Sequence, residues 1–119
     1  MRYMVLLFSL LFSDMIMAGV STSCKSTNSD LKALSCVVYY EARGAPEIDK
    51  IATAFVAVNR VNHPKFSNKL TKVVYRKHQF TWTKNSYSSL KPKNKTAWSE
   101  ALRIASLVLN SRVDDPTNG

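Results

Sequence analysis

Eight consecutive residues, Ile51 to Val58 (IATAFVAV), contain no charge, and their one hydroxyl is that of Thr53. Pro46 can open a helix at its first turn, where a missing N–H is harmless, and Glu47 and Asp49 suit the positive end of its dipole. His63 and Pro64 close it. A helix without a polar side has no face to give to water, so the run predicts a helix through the middle of a core. A chain of 119 residues assembles one such core, which excludes two independent domains, a solenoid or a large barrel.

Other helices are legible around it. Asp30 reads as an N-cap, and Leu31, Leu34, Val37 and Val38 recur at helical spacing until Gly44 supplies a stop. Residues 69–77 suit a short third helix. In the last element Trp98, Ala101, Leu102, Ala105, Val108 and Leu109 share one face, with Ser99, Glu100, Arg103 and Ser106 opposite and Asn110 at the end. Between these two, residues 78–95 (HQFTWTKNSYSSLKPKNK) hold no sustained period and read as a long functional loop. The expectation is a small, mainly α domain over residues 30–119, with about four helices and a long loop region.

Residues 1–18 have the layout of a secretory signal: Arg2 at the positive end, an apolar run from Met4 to Phe12, then Asp14 and a cleavage site at Ile16-Met17-Ala18. The run is far short of the roughly 20 apolar residues that span a bilayer. Export to the periplasm or cell wall is therefore expected, with no stable membrane insertion after signal removal. Residues 19–29, small and polar, read as a linker. Cys24 and Cys36, an even count in an exported chain, suggest one disulfide; two free thiols with Cys36 packed as a small hydrophobe is the alternative. His63 and His78 are isolated and no Gly-rich phosphate loop is present, so no metal or other cofactor is expected.

The 17 Lys and Arg outnumber 8 Asp and Glu for a net charge of +9, which calls for an anionic partner. Removing residues 1–18 takes away one residue of each sign and leaves the balance unchanged. Between Lys50 and Ser99 there are eleven Lys or Arg and no acid. Export argues against nucleic acid, and no motif of a known nucleic-acid binder is present. An anionic cell wall remains, met either by an enzyme or by a non-catalytic cationic wall-binding protein, and a monomer is expected.

The acids then separate. Asp30, Glu47 and Asp49 suit helix starts, Glu100 a polar face, and Asp114 and Asp115 a terminal turn. Glu41 follows Val38, Val37 and Leu34 by three, four and seven residues, so it shares their apolar stripe and is aimed at a core or cleft. Desolvation there and the negative end of the helix dipole both favour the neutral acid, the form a general acid needs. An ion pair with Arg60, or a helix-end Glu turned to water, explains the same spacing without catalysis.

The run ALSCVVYYEARGAPEIDKIATAFVAVNRVNHPKFSNKLTKVVY, then HQFTWT and a final DDPTNG, resembles the SleB-type cell wall hydrolases, the family of spore-cortex-lytic enzymes and phage lysin relatives. The resemblance covers about residues 31–119 and is most specific at Tyr40-Glu41-Ala42-Arg43-Gly44 and Val58-Asn59-Arg60-Val61. It implies a lysozyme-like fold, α+β in its full form, and cleavage of peptidoglycan glycan strands between N-acetylmuramic acid and N-acetylglucosamine. Glu41 matches the catalytic acid. Tyr40, Asn59, Gln79, Phe80, Thr81 and Trp82 are the implied substrate contacts, with Phe80, Trp82 and Tyr87 offering aromatic faces to sugars. Core packing is the alternative for Phe80 and Trp82. Family members continue past the segment matched by Asp115–Gly119 into an aromatic and histidine-containing stretch, so the resemblance implies a domain lacking its C-terminal end.

A pair of carboxylates about 5 to 10 Å apart is the usual equipment of a glycosidase. With an acid-free middle, this sequence favours a lytic transglycosylase working with Glu41 alone.

Overall fold

The computed structural model describes residues 23–76, 79–84 and 90–119. The expected signal segment 1–18, His78 and Tyr87 lie outside the described residues. Four α-helices follow in order: α1 (Asp30–Ala42), α2 (Glu47–Val61), α3 (Leu70–Val74) and α4 (Lys95–Leu109), with a 3-10 turn at Thr81–Lys84 between the last two. No strand occurs among the described residues, and the fold is a small, mainly helical single domain.

The central helix is α1, not the uncharged α2. Every residue from Ala33 to Tyr39 is at most 3% exposed, because α2, α3 and α4 all pack against α1. Ser35 tolerates that position by donating its hydroxyl to the Leu31 carbonyl at 2.7 Å. The cap is Ser29 rather than Asp30: its Oγ accepts from the Lys32 N–H at 3.2 Å, and Asp30 begins the first turn. Gly44, at φ +84°, lets the chain leave the helix in the left-handed region.

In α2 only Ile51, Ala54 and Ala57 are buried, while Ile48 is 57% and Val56 41% exposed. The two alanines let α2 sit close on α1, but its outer side faces solvent. Absence of charge did not force burial, since apolar atoms make up more than half of an ordinary folded surface. The helix also begins one residue later than expected, with Pro46 as its N-cap.

Helix α4 buries Trp98, Ala101, Ile104, Ala105 and Val108. Ile104 joins the face and Leu109 leaves it, at 36% exposed. Asn94 caps its start by accepting from the Ala97 N–H at 2.9 Å. Arg103 bridges Glu47 of α2 and Glu100 of α4; the guanidinium holds the Glu100 carboxyl below its usual range.

Two polar knots fasten the segments that lack helix. Cys24, fully buried, is disulfide-bonded to Cys36 of α1 with Cα atoms 5.7 Å apart. Its N–H donates to the Leu90 carbonyl at 2.6 Å, and its own carbonyl accepts from the Tyr75 hydroxyl at 3.1 Å. The second knot is Tyr39. Its Oη accepts from the Lys93 and Asn94 N–H groups, both at 3.1 Å, and from Arg43 Nη1 at 2.6 Å. The end of α1 is thereby fixed to the start of α4.

Candidate active site

Glu41 lies in the last turn of α1 and is exposed: of the two placements expected, core or cleft, the core is excluded, and the carboxylate is open to water as in the alternative reading. The apolar stripe it extends is covered at Leu34, Val37 and Val38, but both ends run out of cover: Leu31 is 38% exposed and Arg43 and Gly44 are exposed beyond Glu41. Helical spacing gives direction around the axis and says nothing of where the neighbouring helices stop. Nor does Glu41 pair with Arg60. Among the described residues the ion pairs are those of Arg103.

An aromatic row begins at the adjacent residue. The half-buried Tyr40 ring stacks on Trp82 at 5.2 Å and 24°, and Trp82 lies at 6.1 Å and 29° from Phe80. Tyr75 meets Trp82 edge-on at 6.1 Å. The 3-10 turn sets these side chains. Thr83 donates its N–H and its hydroxyl to the Phe80 carbonyl, at 3.2 and 2.7 Å, which turns Phe80 and Trp82 inward and leaves Thr81 exposed and Gln79 half-buried. Phe80 and Trp82 are only 8% and 6% exposed. Their faces are occupied by protein, so the outward groups here are Tyr40, Gln79 and Thr81.

The row continues past Phe80. The Arg60 guanidinium carbon is 5.5 Å from the Phe80 centroid and 5.5 Å from that of Phe66, and Arg76 lies 5.4 Å from Phe66 on its own account. Arg60 Nη1 is buried without a hydrogen-bond partner. Next to it Asn59 is committed elsewhere: Nδ2 donates to Asp115 Oδ2 at 2.8 Å and to Thr117 Oγ1 at 3.2 Å. Thr117 in turn donates its N–H and hydroxyl to Asp115 Oδ1. These bonds, those from Thr117 foremost, hold the Asp115 carboxyl below its usual range. Asn59, expected as a substrate contact, ties the C-terminal turn to α2 through its amide nitrogen.

Tyr40 has a further property that suits a site. Burial first, and then its neighbour Tyr39, push its hydroxyl up, partly offset by Arg43, so it remains a neutral hydrogen-bond donor through the physiological range. Among the described residues no three His, Cys, Asp or Glu side chains come together to hold a metal ion. The structure thus brings Tyr40, Trp82 and Phe80 into one row, with Gln79 and Thr81 flanking Phe80 in the chain and Glu41 next to Tyr40. Sequence reading missed Arg60, Phe66, Arg76 and Tyr75 as members of the same row.

Residues 44–119, well over half of the chain, match the model of the Cell Wall Hydrolase family. The chain belongs to the cell wall hydrolase family. The matched stretch holds Asn59, Arg60, Gln79–Trp82 and the Asp115–Gly119 turn, and starts three positions after Glu41. Similar relatives are the spore cortex-lytic enzymes of Bacillus subtilis, 37% identical over 71 residues, and Halalkalibacterium halodurans, 34% identical over 55 residues. That of Bacillus cereus is 32% identical over 71 residues. The aligned stretches cover 60%, 46% and 60% of this chain, and 23%, 17% and 27% of those relatives. The chain therefore spans about a quarter or less of the family members it resembles here. No solved structure matches it.

Proposed function

We propose that this chain is an exported peptidoglycan-degrading enzyme that cleaves glycan strands between N-acetylmuramic acid and N-acetylglucosamine. Glu41 serves as its single general acid and base, in a lytic transglycosylase mechanism. The observation that carries the reading is the placement of Glu41: an exposed carboxylate at the end of the most buried helix, one residue from a tyrosine stacked on the Trp82–Phe80 row. Family membership and the names of the relatives support the wall substrate.

The chemistry needs few groups. Glu41 as the neutral acid gives its proton to the glycosidic oxygen as the bond to the muramic anomeric carbon breaks. As carboxylate it then takes the proton of the muramic 6-hydroxyl while that oxygen attacks the same anomeric carbon, closing a 1,6-anhydro ring. No water is consumed and the acid is restored. Support for a one-carboxylate route comes from where the other acids are spent. Glu47 is bonded to Arg103, Asp115 to Asn59 and Thr117, and no acid occurs between Lys50 and Ser99. In this reading Tyr40, Gln79 and Thr81 bind hydroxyl and acetamido groups of the strand. Because Glu41 is open to solvent, the bound strand itself has to exclude water from it.

The test is Glu41→Gln. Lysis of purified peptidoglycan should be lost while the protein still sediments with cell walls; lysis that survives the change removes Glu41 from the mechanism. A non-catalytic cationic wall-binding protein predicts no lysis in either form. Mass spectrometry of the products decides the route: reducing muramic ends without anhydro ends overturn transglycosylation.

A further inference from the structure

The Arg60 end of the aromatic row opens onto a groove of about 360 Å³, lined by Val56, Asn59, Arg60, His63, Phe66 and Thr117 together with Gly119. Two features of it are unexplained by the glycan chemistry above. Arg60 is a permanent cation that lines the groove, and no acid lies within ion-pair reach of it among the described residues. Asp115, bonded to the adjacent Asn59, spends its oxygens on Asn59 and Thr117. A second guanidinium, that of Arg76, stands over the same Phe66 ring, so two positive charges flank one aromatic side chain with no salt-bridge partner among the described residues.

The groove's remaining polar donor is His63. Its Nδ1 accepts from the Lys65 N–H at 3.2 Å, which places the ring proton on Nε2 and makes that nitrogen a donor. Its ring meets Phe66 edge-on at 5.6 Å. The groove therefore combines a planar guanidinium fork, an imidazole N–H, and apolar walls from Val56 and Phe66. Such a set matches a free carboxylate on a short aliphatic chain: the guanidinium edge that faces the groove and the imidazole N–H donate to its oxygens, and the walls take the alkyl groups next to it.

The geometry points to a subsite for the free carboxylate of a substrate's peptide stem, at Arg60, His63 and Phe66, joined to the Glu41 region through Phe80, Trp82 and Tyr40. It rests on the peptidoglycan reading for the identity of that stem, and it makes this enzyme prefer glycan that carries peptides over bare glycan.

Two measurements test it. In the first, the isotopically labelled full chain is titrated with N-acetyl-D-alanyl-D-alanine and with the same dipeptide as its C-terminal amide, following the His63 and Phe66 ring signals by NMR. The acid should give saturable shifts at those rings, and the amide should bind at least about tenfold more weakly, the loss expected for one charge-assisted hydrogen-bonded pair. His63→Gln, at an exposed position, should weaken the acid alone. Equal binding of acid and amide, shifts confined to other regions, or displacement of the dipeptide by millimolar inorganic phosphate overturns the subsite. In the second, peptide-bearing and amidase-stripped strands are compared. The wild type should degrade the former faster, and His63→Gln should bring the ratio of kcat/KM values toward one; an unchanged ratio overturns the proposal. Dipeptide binding in a protein without lytic activity would leave the subsite standing and remove the lytic reading. Lysis through Glu41 without dipeptide binding does the reverse.

Discussion

Replacing Tyr39 with Phe removes one oxygen and leaves the ring, so it isolates the knot that fastens α1 to α4. The ring keeps its edge contacts with Tyr40 at 4.9 Å and Trp98 at 6.1 Å, and the Arg43 guanidinium keeps its place 4.9 Å above it. What is lost is an acceptor for two backbone N–H groups and for Arg43 Nη1. Each neutral hydrogen bond is worth about 1 kcal/mol net. The Arg43 contact, made by an exposed side chain, adds about 0.5 kcal/mol. The sum is about 2–3 kcal/mol, which for a domain of this size lowers Tm by roughly 10–20 °C. Thermal unfolding followed by circular dichroism reads the shift. Amide hydrogen exchange reads its origin: Lys93 and Asn94 should exchange much faster in the variant, with the interior of α1 little changed below the transition. A Tm loss of under about 2 °C together with unchanged exchange at those two amides would refute the reasoning, because Tyr39 would then be holding nothing that water does not hold equally well.

Reducing the Cys24–Cys36 bond opens a loop with a sequence separation of 12 and should cost about 3 kcal/mol on the chain-entropy estimate; a Cys24→Ala/Cys36→Ala protein that melts within a few degrees of the oxidised wild type contradicts this. Burial pushes the Tyr75 hydroxyl up to about 12 from an ordinary value of about 10. Its proton is held more tightly in the folded state, so its stabilisation is complete below pH 10 and fades as pH rises from 10 to 12. Urea midpoints should fall less steeply across that window for Tyr75→Phe than for the wild type, and parallel curves would dismiss the effect. Gly44→Ala puts a Cβ into open space at φ +84°, so its cost is backbone strain alone, about 1 kcal/mol; chemical denaturation should show that loss with an unchanged m-value, and Gly44→Asn should recover part of it.

The helices were legible because period and end signals agree. Pro46 and Asn110 each adjoin a helix end and Gly44 lies two residues beyond one, and the apolar face of α4 needed only Ile104 added and Leu109 removed. The layering was not legible. IATAFVAV looks more apolar than LKALSCVVYY, yet α1 became the centre, because burial depends on how many elements pack on a helix. Ser35 and Tyr39 also satisfy their polar groups locally, so their presence in α1 was no obstacle. In the candidate site, motif spacing pointed to Tyr40, Gln79, Thr81 and Trp82, but not to the alternation that buries Trp82 and Phe80 while turning Thr81 outward. That alternation comes from the 3-10 turn closed by Thr83, a short element without any period to detect. Arg60 was visible as a motif residue, whereas its partner Phe66 lies in a stretch, NHPKFSNK, that has no pattern at all.

Under the proposed lytic mechanism, the exposure of Glu41 changes what the rest of the chain has to supply. A general acid enclosed in a pocket, as in the lysozyme pattern, is prepared by its own protein. Here the protein puts its aromatic bulk behind Tyr40 and leaves the carboxylate at the surface, so preparation falls to the substrate. In that mechanism, water leaves Glu41 when a strand lies across the end of α1. The same strand has to be held by groups at a distance from the bond being cleaved, because Glu41 and its immediate neighbours offer few of them. That gives the basic, acid-free stretch from Lys50 to Ser99 a mechanistic purpose under the lytic reading. Attraction along an extended anionic polymer is spent on covering one carboxylate, the use of remote binding energy that raises the rate of the chemical step rather than affinity alone.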